Sequence, residues 1–268
     1  MVARTRKVTA KATKAQSKKA SAETKGSKAI KLPPSLPSGR TALGGSLRGP
    51  VVGVDEAGRG PWAGPVVAAA VSVAETKILA KLLGVTDSKK LNEEQRENVF
   101  KQLTGCPKIS WSVAVVSRAR IDRLNILEAA HEAMASAVRG LRSGTSGSSK
   151  SRGGKVVPRP GTVLVDGNLI PKKLSDESCK AVIGGDRTCF EIAAASVLAK
   201  VTRDRLMGKL HRRFPAYGFA SHKGYGTAAH QAALSRHGPC AEHRRSFEPI
   251  KGFLETGRWK KRGSKPAD

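Results

Sequence analysis

Three apolar runs of this chain end in acids. Val51–Val54 leads directly into Asp55 and Glu56, Thr162–Val165 into Asp166, and Ala181–Ile183 into Gly184-Gly185-Asp186. A lone Asp after a strand is ordinarily a turn former or a helix cap. Four carboxylates meeting at one sheet edge would instead repel one another strongly. Hard cations relieve that repulsion: Mg²⁺ takes oxygen ligands, needs few carboxylates and keeps places for water and substrate oxygens. Two such ions about 3.5–4 Å apart can activate a water and stabilise the leaving oxygen in an in-line displacement at phosphorus. The acids therefore point to phosphodiester hydrolysis with two divalent cations, Mg²⁺ or Mn²⁺.

The first acidic pair is followed by Gly58-Arg59-Gly60-Pro61. Glycines there stop a strand and let backbone approach a ligand closely. Arg59 offers a cation to a phosphate, as do Lys89 and Lys90 in the loop Asp87-Ser88-Lys89-Lys90-Leu91. The plain alternative for each is a solvated loop residue. Lys200 and Lys223 could extend the same basic track. Asp204 follows Arg203 and reads as a salt-bridged structural residue, and Glu191 as a neighbour of the site at most.

The elements that must position these groups are short β-branched strands and amphipathic helices. Val51–Val54, Pro65–Val73, Ile109–Val116, Thr162–Val165 and Ala181–Ile183 read as strands. Asn92 is a fitting N-cap for a helix over Glu93–Leu103 with acids in its first turn. Ile121–Leu141, Thr188–Arg203, Leu206–Phe214 and Ala228–His237 have helical spacing, with a loop over Tyr217–Gly226. Antiparallel strands followed by strands alternating with helices predict an α/β domain with a mixed sheet. In such sheets ligands bind at the carboxyl ends of the strands.

The chain has 268 residues and a formal net charge of +28. Residues 1–48 carry net +11 and residues 251–268 net +4, so the middle keeps +13 on its own. A basic folded part fits a polyanionic partner such as nucleic acid. Residues 1–48, rich in Lys, Ala and Ser and then in Pro and Gly, are expected to be disordered. They read either as a basic arm for polyanions or as an organellar targeting segment, although Lys outnumbers Arg there. Residues 142–161 read as a Gly/Ser-rich surface insertion, and 251–268 as a disordered basic tail. The four cysteines show no metal-ligand spacing, which argues against a zinc site or a disulfide framework. No run of about 18 apolar residues predicts a membrane span.

Several blocks together resemble the bacterial-type ribonuclease HII family: GVDEAGRGPWAGPVVAAAV at 53–71, DSKKL at 87–91, VDGN at 165–168, GGD at 184–186, AAASVLAKVTRD at 193–204, YGFASHKGYGT at 217–227 and HGPCAEHRRSF at 237–247. The resemblance covers residues 50–250 and implies a ribonuclease H-like fold, a five-stranded mixed β-sheet flanked by helices with a C-terminal helical segment. It implies endonucleolytic cleavage of RNA in RNA–DNA hybrids and on the 5′ side of ribonucleotides embedded in duplex DNA, leaving 5′-phosphate and 3′-hydroxyl ends. It places the metal-binding and catalytic acids at Asp55, Glu56, Asp166 and Asp186, ribonucleotide sensing at Gly58, Arg59 and Gly60, and a stacking ring at Tyr225. The family usually has Lys where this chain has Gly184.

The resemblance also implies a monomer. A sister enzyme with a folded N-terminal substrate-binding domain fits poorly, because residues 1–48 are too short and polar for one. A non-enzymatic nucleic-acid-binding protein would leave the acids at three strand ends without a reason. The expected location is intracellular: cytoplasmic in a bacterium, mitochondrial or nuclear if residues 1–48 are a targeting segment.

Overall fold

The computed structural model describes residues 31–44, 47–143, 160–175, 178–257 and 259. The chain divides into two units, Met1–Lys31 and Leu32–Asp268, and all the described residues except Lys31 belong to the second. In chain order the elements are α1 (Gly39–Ala42), β1 (Val51–Ala57), β2 (Val66–Val73), α2 (Glu93–Gly105), β3 (Ile109–Val116), α3 (Arg118–Leu124), α4 (Ile126–Ser143), β4 (Thr162–Asp166), β5 (Cys179–Val182), α5 (Phe190–Arg213), α6 (Phe219–His222), α7 (Ala228–His237) and α8 (Ile250–Thr256).

The strands form one five-stranded sheet in the order β3-β2-β1-β4-β5. β1 pairs antiparallel with β2, and β2 with β3, whereas β1–β4 and β4–β5 are parallel. The sheet is therefore mixed, as the sequence predicts. Alternate residues of β2 face opposite layers: Val66, Ala68 and Ala70 pack with α4, and Val67, Ala69 and Val71 with α2 and α5. α4 meets the sheet through Ala129, Ala130, Ala133 and Ala137, whose small side chains allow close approach. A third apolar cluster, around Trp62, Met207, Tyr217, Phe219 and Ile250, joins the C-terminal helices to the end of α5.

β1 and α5 lie closer than a side chain permits. A Cβ on Gly53 would sit 2.2 Å from the Glu191 carbonyl carbon and 2.3 Å from the Ile192 nitrogen. This contact brings α5 directly behind the end of β1 that carries Asp55.

Several boundaries differ from the sequence reading. The helix expected over Ile121–Leu141 is two, broken at Asn125, which has φ +74° and accepts from the Glu128 N–H through Oδ1 at 3.0 Å. The two segments expected over Thr188–Phe214 are the single helix α5. β5 ends at Val182, and Ile183 is exposed. Disorder over 1–48 is corrected for its second part: residues 32–44 and 47–48 are laid on the domain. Leu36 N–H donates to Val85 O, Phe190 N–H to Pro37 O, and Ser35 Oγ–H to Leu82 O, while Leu47 is buried. Four leucines spread through a Pro/Gly-rich segment suffice to dock it. Residues 1–30 lie outside the described residues. The tail reading is corrected likewise: α8 continues to Thr256, and Trp259 packs edge-on to Trp62 at 6.2 Å. Of the insertion 142–161, Arg142 and Ser143 close α4, and 144–159 lie outside the described residues.

Gly53→Ala is expected to cost about 1–3 kcal/mol by overpacking the β1–α5 contact, seen as a lower denaturation midpoint with an unchanged m-value.

Candidate active site

The parallel register pairs Val54 with Val165, so the next residues, Asp55 on β1 and Asp166 on β4, stand side by side at the carboxyl end of the sheet. Glu56 follows Asp55. Asp186 comes from the turn Gly185–Arg187 after β5, and its N–H reaches Asp166 Oδ1 at 3.4 Å. All four predicted acids thus meet at one edge.

Asp55 and Asp186 are buried. Burial pushes the Asp55 carboxyl well up, and the charges of Glu56 and Asp166 push it further; a hydrogen bond from Ser196 opposes them. Burial also raises Glu56, against the Arg59 guanidinium, which lies 3.4 Å away, and with Asp166. Asp186 is raised by burial, Asp166 and Asp87, and opposed by Lys89 and Arg187. Burial works to lower Lys89, but Asp186, Asp87, Asp55 and Asp166 together raise it; its Nζ is 3.7 Å from Asp186 Oδ2. An ammonium drawn toward four acids shows the sign of charge this edge accepts.

The donor set is all carboxylate, which suits a hard divalent ion. Among the described residues, no three His, Cys, Asp or Glu side chains already stand close enough to hold a metal ion.

A cleft of about 260 Å³ opens over this edge, lined by Asp55, Glu56, Asp166, Ser88, Lys89, Ser196, Lys200, Arg203, Tyr225 and the turn Ala57–Gly60. Ser196, Lys200 and Arg203 fall on one face of α5 at i, i+4 and i+7. Lys90 is exposed and does not line the cleft; its N–H closes the turn onto Asp87 O at 3.0 Å. Lys200 is held by Asp204, with Nζ 2.7 and 2.8 Å from its two oxygens. Asp204 is therefore salt-bridged as expected, but to Lys200. Glu191 is buried elsewhere and accepts from the Gly39 N–H at 2.7 Å.

Two groups escape sequence reading. Ser88 and Ser196 hydroxyls meet at 2.9 Å, and the Ser196 hydroxyl donates to Asp55. Arg244 and Arg203, 0% and 1% exposed, hold backbone carbonyls rather than carboxylates. Arg244 donates to Gly58 O (2.6 Å), Arg59 O (2.9 Å), Gly64 O (3.0 Å) and Pro65 O (3.3 Å). Arg203 donates to Pro65 O, Lys223 O and Ala63 O. Burial lowers the two guanidiniums to about 9 and about 10, so both remain cations at neutral pH. In a trans peptide N–H and C=O point oppositely. With the Gly58 and Arg59 carbonyls turned in to Arg244, the Arg59 and Gly60 N–H groups turn away from the core, on the turn that lines the cleft. Gly58 has φ +101°, and a Cβ there would lie 2.1 Å from Arg203 Nε. The ring of Tyr225 stands against the same turn, with Cε1 3.6 Å from where a Gly60 Cβ would be.

The ribonuclease HII family model matches residues 52–250. The chain belongs to the ribonuclease HII family. It is 46% identical to ribonuclease HII of Delftia acidovorans over 227 residues, 85% of this chain and 87% of that protein. With ribonuclease HII of Paracidovorax citrulli it shares 50% over 207 residues, 77% and 78% of the two chains. Among solved structures it resembles ribonuclease H2 from Pyrococcus horikoshii, with a TM-score of 0.58, 28% identity and 77% and 98% of the two chains covered. Bst-RNase HIII in complex with Mn²⁺, at 22% identity and TM-score 0.62 over 82% and 73% of the chains, shares the fold. Family membership makes the chain a nuclease with ribonuclease H activity on RNA–DNA hybrids. The curated relatives named here are bacterial, which lends no support to a mitochondrial or nuclear destination. No described helix is long and apolar enough to cross a membrane.

The raised carboxyls carry a stability consequence. A group whose folded pKa is raised stabilises the fold in its protonated form, and that contribution is lost as pH rises through the raised value. Once ionised, these acids therefore weaken the fold. Asp55→Asn is expected to raise Tm without divalent ions, by about 2–4 °C per kcal/mol of repulsion relieved. If these acids hold a divalent ion, the substitution should also shrink any Tm rise seen on adding Mg²⁺ or Mn²⁺; calorimetry with and without chelator checks both.

Proposed function

We propose that the chain is an endonuclease that hydrolyses the RNA strand of RNA–DNA hybrids and cuts on the 5′ side of ribonucleotides embedded in duplex DNA, leaving 5′-phosphate and 3′-hydroxyl ends. Its cellular roles would be ribonucleotide excision and primer RNA removal. Asp55, Glu56, Asp166 and Asp186 would hold two divalent cations, Mg²⁺ or Mn²⁺. Such ions supply charge neutralisation at phosphorus and activation of a water at neutral pH. The observation that carries the reading is that the paired acids of β1 and β4, the Gly58–Gly60 turn and Tyr225 border one cleft.

Each part has a task the chemistry needs. The Arg59 and Gly60 N–H groups, aimed outward by Arg244, offer donors to a 2′-oxygen, the group that distinguishes RNA from DNA at one position. Tyr225 is half-exposed, so its ring is free to stack on the sugar or base beside that position. Arg59 and Lys89 face the acids and can meet phosphate oxygens when an ion takes over the acids' charge. Lys90 contributes to the general positive field. The Ser88–Ser196 hydroxyl pair orients Asp55 through the Ser196 hydrogen bond. Gly184, where the family usually has Lys, has Arg187 over it: a Cβ at 184 would lie 2.5 Å from the Arg187 guanidinium, which is 3.9 Å from Asp186 Oδ1. A cation therefore still stands beside Asp186.

The protein is read as a monomer when it acts. A structure of the Archaeoglobus fulgidus enzyme is a PCNA:RNase HII complex.

Asp55→Asn is expected to lower cleavage of a duplex with one embedded ribonucleotide by about 10³-fold, equivalent to ~4 kcal/mol of barrier. Near wild-type cleavage would refute the assignment. An all-DNA duplex should bind and stay uncut. Deleting residues 1–30, which carry net +8, should weaken duplex binding and flatten its dependence on salt, with turnover at saturating enzyme unchanged.

A further inference from the structure

Three imidazoles lie beneath the loop that carries Tyr225. His230 and His243 are 0% and 1% exposed. His222 is stacked on His230 with centroids 4.4 Å apart and rings 15° from parallel. Nothing in the proposed reaction requires a histidine, and buried imidazoles are costly unless every nitrogen finds a partner.

Their hydrogen bonds permit one arrangement of protons. Cys240 N–H donates to His243 Nδ1 at 2.9 Å, and a backbone N–H can only donate. His243 Nδ1 is therefore an acceptor, its 3.3 Å approach to Cys240 O is no hydrogen bond, and its proton sits on Nε2. That Nε2 is 3.0 Å from His230 Nε2, which must accept. The His230 proton is thereby forced onto Nδ1, 2.9 Å from Tyr225 O, to which it donates. His222 follows the same logic: Gly224 N–H donates to its Nδ1 at 3.2 Å, leaving Nε2–H for Tyr217 O at 2.6 Å. Burial holds His230 down to about 4 and His243 to about 3, so both rings are neutral at physiological pH.

The receiving end of this chain matters because the Tyr225 ring is half-exposed and little packing fixes it. Its place opposite Gly60 is set by its own backbone. α7 grips that backbone twice: His230 holds Tyr225 O, and Gln231 Nε2 donates to Gly226 O at 3.0 Å. α7 is in turn started at Thr227, whose Oγ1 accepts from the His230 N–H.

We infer that His243 and His230 form a one-way hydrogen-bond relay that fixes the Tyr225 carbonyl, making His230 a positioning residue for ribonucleotide recognition. The inference rests on the role proposed above for Tyr225. His230 touches neither substrate nor reacting atoms; it acts through the tyrosine. An apolar residue of similar size could fill the space but could not hold the carbonyl.

Two measurements on the full chain test it. Long-range ¹⁵N–¹H spectra at pH 7 should show His230 as the Nδ1–H and His243 as the Nε2–H tautomer; the reverse for either ring overturns the relay. Single-turnover cleavage of a duplex with one ribonucleotide should then be compared for His230→Leu, His230→Asn, Tyr225→Ala and Tyr225→Ala/His230→Leu, each with its fold checked by melting. His230→Leu should lose on the order of tenfold, and His230→Asn, whose amide nitrogen replaces Nδ1 as donor, should recover most of it. In the Tyr225→Ala background, His230→Leu should cost nothing further. Equal losses in both backgrounds, or folded Asn and Leu variants that are equally impaired, would show a merely structural histidine. Tyr225→Ala at wild-type rate would remove the role of the tyrosine itself and the inference with it. A harmless His230→Leu beside a damaging Tyr225→Ala overturns the relay alone.

Discussion

The parallel pairing of β1 with β4 is the constraint from which the site follows. Its register sets Asp55 beside Asp166, and a slip by one residue would turn every side chain of one strand to the opposite layer. Such a slip is barred because both faces of β1 are covered: Val52 and Val54 are buried in the layer that contains α4, and Gly53 is pressed against α5. The strand is closed on both sides along its length and opens only at its carboxyl end. The acids therefore sit at the one open end, where neighbouring acids cannot be avoided. The upward shifts of Asp55, Glu56 and Asp186 are the electrostatic record of that compromise.

The turn after β1 is rigid for a different reason. Buried arginines usually find carboxylates; Arg244 and Arg203 instead share seven hydrogen bonds to backbone carbonyls of the segments around Gly58–Pro65 and Lys223. The fork of a guanidinium offers five donors in fixed geometry, which no other side chain matches. Removing either would strand several buried carbonyls, each at about 1–3 kcal/mol. A turn fixed in this way holds its outward N–H groups in one direction. Donors held so need no rearrangement to meet an acceptor. The strained Lys223, at φ +52°, is held by the same pair through its carbonyl, so the turn and the tyrosine loop share one support.

Much of the site was legible because its signals are local. β-branched runs mark strands, and the acids that end them are adjacent in sequence. Asn92 caps α2 as the N-cap reading expected, and Gln95 completes a capping box that reading did not include. What was not legible depends on contacts distant in the chain. Arg203 and Arg244 look like any of 49 basic residues until Gly58 and Pro65 are placed beside them. Lys90 and Lys89 are indistinguishable in sequence, yet the turn at Asp87 presents one to the acids and the other to solvent. The docking of residues 32–44 rests on leucines too sparse to show a period, each useful only against a partner supplied by another element. The break at Asn125 is a single left-handed residue inside an otherwise helical pattern.

The same topology fixes where the described residues that flank the insertion stand. The insertion leaves α4 at Ser143 and returns at Pro160, just before β4 begins at Thr162. β4 carries Asp166 at its far end, and four residues of strand span roughly 13 Å. Gly161 is pinned at the near end, where its N–H donates to Pro50 O at 2.8 Å. The returning anchor of the insertion thus lies at the amino end of the parallel strands, while the acids, the glycine turn and Tyr225 gather at the carboxyl end. A chain can lengthen at the first without disturbing the second, because the sheet between them transmits register but no change of loop length.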